Sequence, residues 1–216
     1  MKVSAGIYLD WSEIDLAPLE AGVYAWYSQL IISKADIIDV VRKINQAKAV
    51  SDQSAREEVC LALDRFIFNP YRETSYRVML RGQLKPKYSG EILHEPSKSD
   101  SLINKLVETP ERFEVICNVL KGAAPAFTAP LYIGMAKNLR RRLRQHKAKI
   151  IELRNNLSTV SSDDEIEAGF AKQVVARNFD PTNLFVHVSP VQVESDEHND
   201  IENILNRINY PIFGRN

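Results

Sequence analysis

The stretch LYIGMAKNLRRRLRQH, residues 131–146, constrains the fold more than any other part of the chain. Its first residues are aromatic and apolar, as in a buried β-strand, and the pattern soon becomes that of a long basic helix. Arg142 and His146 are four residues apart, so their side chains lie on one face of that helix. The sequence therefore predicts a strand carrying Tyr132 that leads directly into a helix presenting a guanidinium and an imidazole together.

Charge is distributed unevenly along the chain. The 216 residues carry 28 basic and 28 acidic side chains, which gives a formal net charge of zero. Residues 137–149 nevertheless contain many basic side chains and no acidic one, whereas acidic side chains concentrate at 163–167 and 194–202. A basic stripe in a neutral protein indicates a local anionic partner. The alternative is a solvated helix face, the usual fate of a run of charges.

A phenol, a guanidinium and an imidazole in this arrangement suit the chemistry of a phosphodiester. The transition state for its hydrolysis concentrates negative charge on oxygen, and a planar guanidinium can hold two such oxygens at once. The region around Tyr132 and Arg142 is therefore a candidate site for phosphate chemistry.

Other segments carry related patterns. AGVYAWY reads as a strand that is entered through the Gly-Val-Tyr triplet at 22–24, and the segment 201–216 reads as a helix followed by a loop. A similar triplet, Gly-Ile-Tyr at 6–8, runs directly into LDWSEIDL. There Asp10 or Ser12 predicts a helix cap rather than a continuing central strand, so we interpret the first triplet as a coincidence.

Together these pieces resemble the GIY-YIG nucleases, a family that includes intron-homing endonucleases, the nuclease domain of bacterial excision repair and several restriction enzymes. The family pattern has a GIY-type strand, a YIG-type strand, an arginine ten residues after the second tyrosine, often a histidine one turn later, and a glutamate on a downstream helix. The resemblance covers residues 19–30 and 130–216, and its pieces stand in the family order. It implies these catalytic residues: Tyr24, Tyr132, Arg142, His146 and Glu202.

The resemblance also implies roles. Tyr24 is the first choice for the general base that activates water, with Tyr132 orienting water or phosphate. Arg142 would stabilise the developing charge, and His146 would hydrogen-bond phosphate or a tyrosine. Because a phenol has a pKa of about 10, we expect nearby positive charge to lower the pKa of the catalytic tyrosine.

One divalent cation, Mg²⁺ or Mn²⁺, is the cofactor that the resemblance implies. Glu202 would bind it through oxygen, as hard ions prefer. Asp200 and Glu197 are lower-ranked alternatives on the same predicted helix. The family pattern ends in a loop with proline and asparagine, and Asn216 is the candidate for that asparagine.

The predicted fold class is α/β (α+β), in two parts. Residues 1–33 and 128–216 would form a nuclease core, a small three-stranded, mainly antiparallel sheet with flanking helices. Residues 34–127 would form a mostly helical inserted subdomain with a short β segment. The two signature strands usually follow each other closely, but a long insertion in a surface connection costs little free energy. The alternative is that Tyr24 is the wrong partner for Tyr132.

Hydrophobic periodicity, capping residues and helix breakers predict the elements. Thr109 is expected to cap a helix that Gly122 ends, and a later helix is expected to bury a stripe of Ile201, Ile204, Leu205 and Ile208. The predicted helices span 36–50, 52–68, 109–122, 137–155, 164–178 and 196–208. Strands are predicted from residue 19, at 131–134 and at 183–191, with two or three short ones within 75–94.

Two groups of cations are predicted to contact DNA phosphates. In the insert, tyrosines alternate with cations over residues 71–88, and an amphipathic sheet with cationic edges is the alternative interpretation. The predicted substrate-binding residues are Lys137, Arg141 and Arg144 on the basic helix, Asn216, and Arg72, Arg77, Arg81, Lys85 and Lys87 in the insert.

The implied function is metal-dependent hydrolysis of DNA. Three alternatives stay open: a sequence-specific restriction endonuclease acting as a homodimer, a phage-defence or repair nuclease targeted by a partner that docks on the insert, and an inactive module that binds nucleic acid or protein. No apolar run reaches the roughly 18 residues of a membrane span, and the N-terminus lacks the apolar region of a secretory signal. Cys60 and Cys117 form no CxxC pair, so we expect them to be reduced and buried in a cytoplasmic protein.

Overall fold

A computed structural model describes residues 6–73, 75–82, 85–94, 96–156, 169–191 and 197–213, with backbone alone for 70, 76, 81, 85, 86, 123–126 and 197–199. The chain divides into two compact units. Unit 1 comprises Met1–Gln29 with Ala123–Asn216, and unit 2 comprises Leu30–Gly122. This division lies close to the predicted boundaries, and the functions assigned to the two parts stay predictions.

Unit 1 is built on a four-stranded antiparallel sheet in the order β1-β6-β2-β5. The mixed α/β class and the antiparallel sheet are confirmed, but the predicted number of strands, three, is wrong. The strands are β1 (Ile7–Asp10), β2 (Gly22–Ser28), β5 (Tyr132–Ala136) and β6 (Leu184–Pro190).

The additional strand, β1, contains the first Gly-Ile-Tyr triplet. It is a four-residue edge strand that pairs with β6 and directs Leu9 into the core. The chain then turns into a 3₁₀ helix over Trp11–Leu16, with Asp10 as its N-cap. The predicted cap is therefore confirmed and the triplet lies outside the sheet centre. It still forms a strand, because one inward apolar side chain and a free edge of β6 are sufficient for so short a pairing.

The two faces of this sheet are covered by different helices. Tyr24 and Trp26 of β2 share a hydrophobic core with α5 (Leu139–Asn155) and α6 (Phe170–Ala176). Alternate residues of a strand point in opposite directions. The residues that alternate with these two aromatics, namely Val23, Ala25 and Tyr27, therefore face the side where α7 (Glu197–Asn209) contacts β2 and β5.

The helices of unit 1 follow the sequence closely, with two differences. α5 begins after Asn138, whose side chain accepts a hydrogen bond from the backbone of Arg141. The predicted apolar stripe of α7 is only partly buried. Ile201 and Leu205 are half-buried, whereas Ile204 and Ile208 are 56% and 67% exposed. Helical spacing alone does not reveal how wide a face the neighbouring sheet covers. Part of the predicted helix 164–178 lies outside the described residues.

Unit 2 combines helices with a β-hairpin. The helices are α1 (Lys34–Lys48), α2 (Asp52–Leu63), α3 (Asp100–Glu108) and α4 (Arg112–Phe127), and the hairpin strands are β3 (Tyr76–Gly82) and β4 (Lys85–Ile92). A separate hydrophobic core includes Ile44, Val59, Leu106 and Phe113.

Two predictions about unit 2 are wrong. Helix α3 was not expected, and it takes Thr109 as its C-cap, so α4 begins at Arg112 instead. Gly122 does not end α4, which continues to Phe127. A glycine inside a helix costs about 1 kcal/mol, which is not enough by itself to end a helix. Both cysteines are free as expected; Cys117 is buried, but Cys60 is only half-buried.

No helix among the described residues is long and apolar enough to cross a membrane.

Candidate active site

The two strands that carry the predicted tyrosines lie side by side. In the register between β2 and β5, Tyr24 is opposite Gly134 and Trp26 is opposite Tyr132. Both tyrosine side chains therefore point to the same face, and their ring centroids are 6.2 Å apart. The roughly one hundred residues between them in sequence do not separate them in space.

Helix α5 supplies the other two groups. Nε2 of His146 lies 2.8 Å from the phenol oxygen of Tyr24, and Nε of Arg142 donates to the same oxygen at 3.4 Å. Tyr24 is 2% exposed and His146 8% exposed, whereas Arg142 is exposed. The phenol–imidazole pair is thus buried, and the side chain of Arg142 that contacts the phenol reaches solvent.

Two aromatic side chains, which are not among the predicted site residues, pack against the imidazole of His146 and limit its orientation. The ring of His146 meets the rings of Phe170 and Trp26 edge-on, with centroid distances of 5.2 and 6.4 Å. Trp26 was predictable in principle, because it stands two residues after Tyr24 on a strand and must point to the same face. Phe170 follows a stretch outside the described residues, and no local pattern aligns it with α5.

Residue 134 has to be glycine, because Tyr24 and Tyr132 occupy the space that a side chain would need. A Cβ atom there would lie 2.6 Å from the hydroxyl oxygen of Tyr24 and 2.8 Å from a ring carbon of Tyr132. Both distances are shorter than any normal contact. A glycine opposite Tyr24 thus allows the two phenols to lie on one face.

We expect Gly134→Ala to displace Tyr24, to lower the free energy of unfolding by about 1–3 kcal/mol through overpacking, and to abolish activity at the site. The matched control is Gly122→Ala, since a Cβ at Gly122 meets nothing within 4 Å. That control should be neutral or stabilising by up to about 1 kcal/mol. Equal thermal stability and equal activity in the two variants would show that Gly134 does not set the site geometry.

Burial dominates the electrostatics of the phenol–imidazole pair. Burial raises the pKa of Tyr24 well above its usual value, Tyr132 adds to this, the hydrogen bond from Arg142 opposes it, and the charge of Glu202 raises it further. The contribution of Arg142 to the pKa of Tyr24 thus has the expected sign, but burial outweighs it when no metal ion is bound. Burial also lowers the pKa of His146 to about 3, with a further contribution from the charge of Arg142. Both groups are neutral at pH 7.

The depressed pKa of His146 gives a stability prediction. In the unfolded chain the imidazole takes up a proton below pH about 6.5, while the folded protein does so only below about 3. The unfolded state thus binds more protons in this range, and the free energy of unfolding falls as pH decreases through it. At about 1.4 kcal/mol per pKa unit, the loss is at most roughly 5 kcal/mol.

Denaturant titrations between pH 3 and 7 will measure this effect. Relative to His146→Gln, the wild-type protein should lose stability on acidification, whereas the same substitution at the exposed His94 should leave the wild-type pH dependence intact. Identical pH dependence of wild type and His146→Gln would contradict a buried neutral imidazole.

Glu202 is the carboxylate that could hold a metal ion. It lies on α7, is half-buried, and is close enough for its charge to raise the pKa of Tyr24. No group of three or more His, Cys, Asp or Glu side chains is arranged for a metal within the described ranges. Mg²⁺ commonly keeps several waters and uses one or two carboxylates together with substrate phosphates. A single carboxylate whose charge acts on Tyr24 is therefore compatible with Mg²⁺ or Mn²⁺. Of the two alternative metal ligands, Asp200 is exposed, and the side chain of Glu197 is not among those that the structure describes.

The basic helix divides its cations between two tasks. Arg140 donates to the backbone oxygen of Ala17 at 2.6 Å and Lys147 to that of Trp11 at 2.9 Å, so these two hold the 3₁₀ turn. No charge pattern in the sequence predicts this structural role.

The outer side of the same helix carries the predicted phosphate contacts. Arg141 and Arg144 line a shallow concave surface of about 410 Å³ at the start of α5. Arg144 also pairs with Asp15. Lys137 is exposed just before the helix. These positions suit phosphate contacts, which stay predictions.

The cations predicted in the insert are less uniform. Arg72 is half-buried and pairs with Asp64 at 3.1 Å, a structural contact. Arg77 is directly opposite Glu91 across the hairpin, and Lys87 is exposed. The side chains of Arg81 and Lys85 are not described, and Asn216 lies outside the described residues. The hairpin therefore has a mixed-charge face rather than a purely basic one.

Comparisons with protein-family models, with curated proteins and with solved structures find no match for this chain. The resemblance to GIY-YIG nucleases therefore rests on the sequence motifs quoted above.

Proposed function

We propose that this protein is a metal-dependent endonuclease of the GIY-YIG type that hydrolyses DNA phosphodiester bonds. The observation that carries the proposal is the hydrogen-bonded group in which His146 and Arg142 both contact the phenol oxygen of Tyr24. A purely structural tyrosine in the core has no need of a guanidinium that also reaches solvent. The adjacent Tyr132 completes a surface on which a phosphate can lie.

Water activation in this proposal uses the phenol–imidazole pair as a relay. The raised pKa of Tyr24 opposes a standing tyrosinate, so the phenol oxygen takes a proton from water as its own proton passes to Nε2 of His146. The hydroxide that forms attacks phosphorus. A phosphate bound beside Arg142 offsets the positive charge that helps to hold the pKa of His146 down. The imidazole thus becomes a better proton acceptor when substrate is present.

Arg142 and Tyr132 hold the phosphate in this scheme. The guanidinium interacts with both tyrosines, which raises its pKa and keeps it charged. Charge that develops on the phosphoryl oxygens during attack is then stabilised by donors that are already in place, and this is worth about 3–4 kcal/mol for a well-placed donor.

Glu202 is the residue that would hold the divalent cation. Such an ion supplies Lewis-acid polarisation of the phosphate and stabilises the leaving 3′ oxygen. The role of this chain is to place the carboxylate on α7, near the tyrosines of β2 and β5.

We propose that the protein acts in the cytoplasm. It would be either a restriction enzyme that works as a homodimer, or a defence or repair nuclease that is guided by a partner bound to unit 2. The shallow surface lined by Arg141 and Arg144 would hold flanking phosphates.

The proposal is tested by incubating the purified protein with plasmid, single-stranded DNA and RNA, each with Mg²⁺ and with EDTA. We expect Mg²⁺-dependent cleavage of DNA, and Tyr24→Phe, which removes only the phenol oxygen, to reduce the rate by at least about 100-fold. Binding without cleavage of any substrate would support the inactive binding module instead. Equal cleavage by wild type and Tyr24→Phe would remove Tyr24 from the mechanism.

A further inference from the structure

A cavity of about 350 Å³ lies in unit 1, between the sheet and α7. Its lining on β2 consists of Val23, Ala25 and Tyr27, whose side chains point away from the Tyr24–His146 pair, together with Tyr24 itself. Its size is within the range of about 300–1,000 Å³ that is usual for small-molecule sites. The side chains that matter here are Ala25 and Tyr27 of β2, His187 and Ser189 of β6, and Ile201 and Leu205 of α7.

The lining is neutral but not purely apolar. Among the described residues around the cavity there is no Asp, Glu, Lys or Arg. The imidazole of His187 and the hydroxyl of Ser189 engage in no hydrogen bond within the described part of the chain. Asn209 contributes an amide that is anchored by donation to the backbone oxygen of Leu205. Burial lowers the pKa of His187, which keeps the ring neutral.

The polar groups are held in fixed positions. His187 is opposite Ala25 and Ser189 is opposite Val23 in the β2–β6 register, so the two groups stand about 7 Å apart along one face. The ring of Tyr8 lies over that of His187 with centroids 4.5 Å apart and a 30° angle. Gly6 lies so close to the imidazole that a Cβ atom on residue 6 would be 2.1 Å from Nε2 of His187. The imidazole therefore has little freedom to turn away.

From these features we propose that the cavity binds a neutral heteroaromatic ring, namely an unstacked nucleobase. A phosphate or other ion finds no counter-charge in the described lining, and an aliphatic guest would leave the imidazole and hydroxyl desolvated without partners. A flat ring with hydrogen-bonding edges satisfies those groups while it packs between the sheet and Leu205. The choice of nucleobase among such rings rests on the proposed action on DNA.

Occupancy of the cavity would also act on the candidate active site. Ile201 lines the cavity, and the next residue on α7 is Glu202. A ring held against Ile201 and Leu205 would fix the position of α7, and with it the carboxylate. Occupancy of the cavity is therefore expected to be coupled to metal binding at Glu202.

Methyl NMR in EDTA tests the proposal without any cleavage. The probes are adenosine and thymidine as free nucleosides and a single-stranded oligonucleotide. The expected result is a saturable shift of the methyl signals of Val23, Ile133 and Leu205, with little change at Leu143 and Ile150, which are buried on the opposite side of the sheet. If these methyl signals shift with the oligonucleotide but not with the free nucleosides, the bound ring is a base within a DNA strand.

Two variants fill the cavity from different sides, Leu205→Trp from α7 and Ala25→Leu from β2, so that one misfolded variant does not end the test. Each should weaken nucleoside binding at least about tenfold. Ile208→Trp, on the exposed side of the same helix, should bind as wild type does. No shift with any probe at millimolar concentration, or unchanged binding in both filled variants, overturns the proposal.

The result for nucleoside binding in the cavity can be distinguished from the result for DNA cleavage. A protein that cleaves DNA but shows no methyl shift keeps the nuclease and loses the base pocket. One that binds nucleosides but cleaves nothing keeps the pocket and loses the nuclease.

Discussion

Replacing Arg142 by alanine is expected to lower the single-turnover rate of DNA cleavage by about 10²–10³-fold while the protein stays folded. The side chain is exposed, so its removal leaves no large cavity. Its Nε contacts the phenol oxygen of Tyr24, and the charge beside that phenol is what the transition state would use. A loss of this size corresponds to about 3–4 kcal/mol of transition-state stabilisation.

The conservative variant separates charge from shape. Arg142→Lys keeps a positive charge but lacks the planar fork that contacts a tyrosine and two phosphate oxygens together. We expect it to recover only a small part of the rate.

The matched control for Arg142 is its neighbour Arg141, which is also exposed on α5 but lines the shallow outer surface. Arg141→Ala should weaken DNA binding and reduce its salt dependence, with little effect on the rate at saturating protein. If Arg142→Ala cleaves at nearly the wild-type rate when DNA is saturated, the guanidinium is a binding group only.

Glu202→Gln is expected to have an effect of similar size, about 10²-fold or more on cleavage in Mg²⁺. The substitution preserves the shape of the side chain and removes the charge that a hard cation needs. Direct titration with Mn²⁺, followed by electron paramagnetic resonance, should show binding to the wild-type protein and its loss in the variant. This readout does not depend on activity.

Asp200→Asn is the control for Glu202, because Asp200 is exposed on the same helix two residues earlier. It should change neither Mn²⁺ binding nor cleavage. If Asp200→Asn abolishes Mn²⁺ binding and Glu202→Gln does not, the metal ligand is Asp200 and the assignment of Glu202 is wrong.

Local sequence patterns predicted most of the elements around the candidate site. The strand and helix of residues 131–155 form close to where periodicity placed them. Arg142 and His146 share a face of α5 because the helical repeat fixes that relation wherever the helix lies. Each of these features depends on residues within a turn or two of one another.

Local signals failed at three places. Gly122 is a normal helix terminator by its conformational freedom, yet α4 continues past it. The edge strand β1 has too few residues for an alternating pattern to stand out, and it forms because β6 offers an edge. On the basic helix, Arg140 and Lys147 contact the 3₁₀ turn, and no charge pattern distinguishes these two residues from their neighbours.

The sequence by itself determined which residue types are present, the helix that places Arg142 and His146 on one face, and the two strands that carry the tyrosines. Only the tertiary structure decided that β5 pairs with β2 across the insertion, and that Tyr24 and His146, 122 positions apart, form one buried hydrogen bond. It also decided the raised pKa of the phenol, the lowered pKa of the imidazole and the cavity behind the sheet. Strand pairing, burial and cavities depend on contacts between distant segments, whose free energy is set by how the whole core packs.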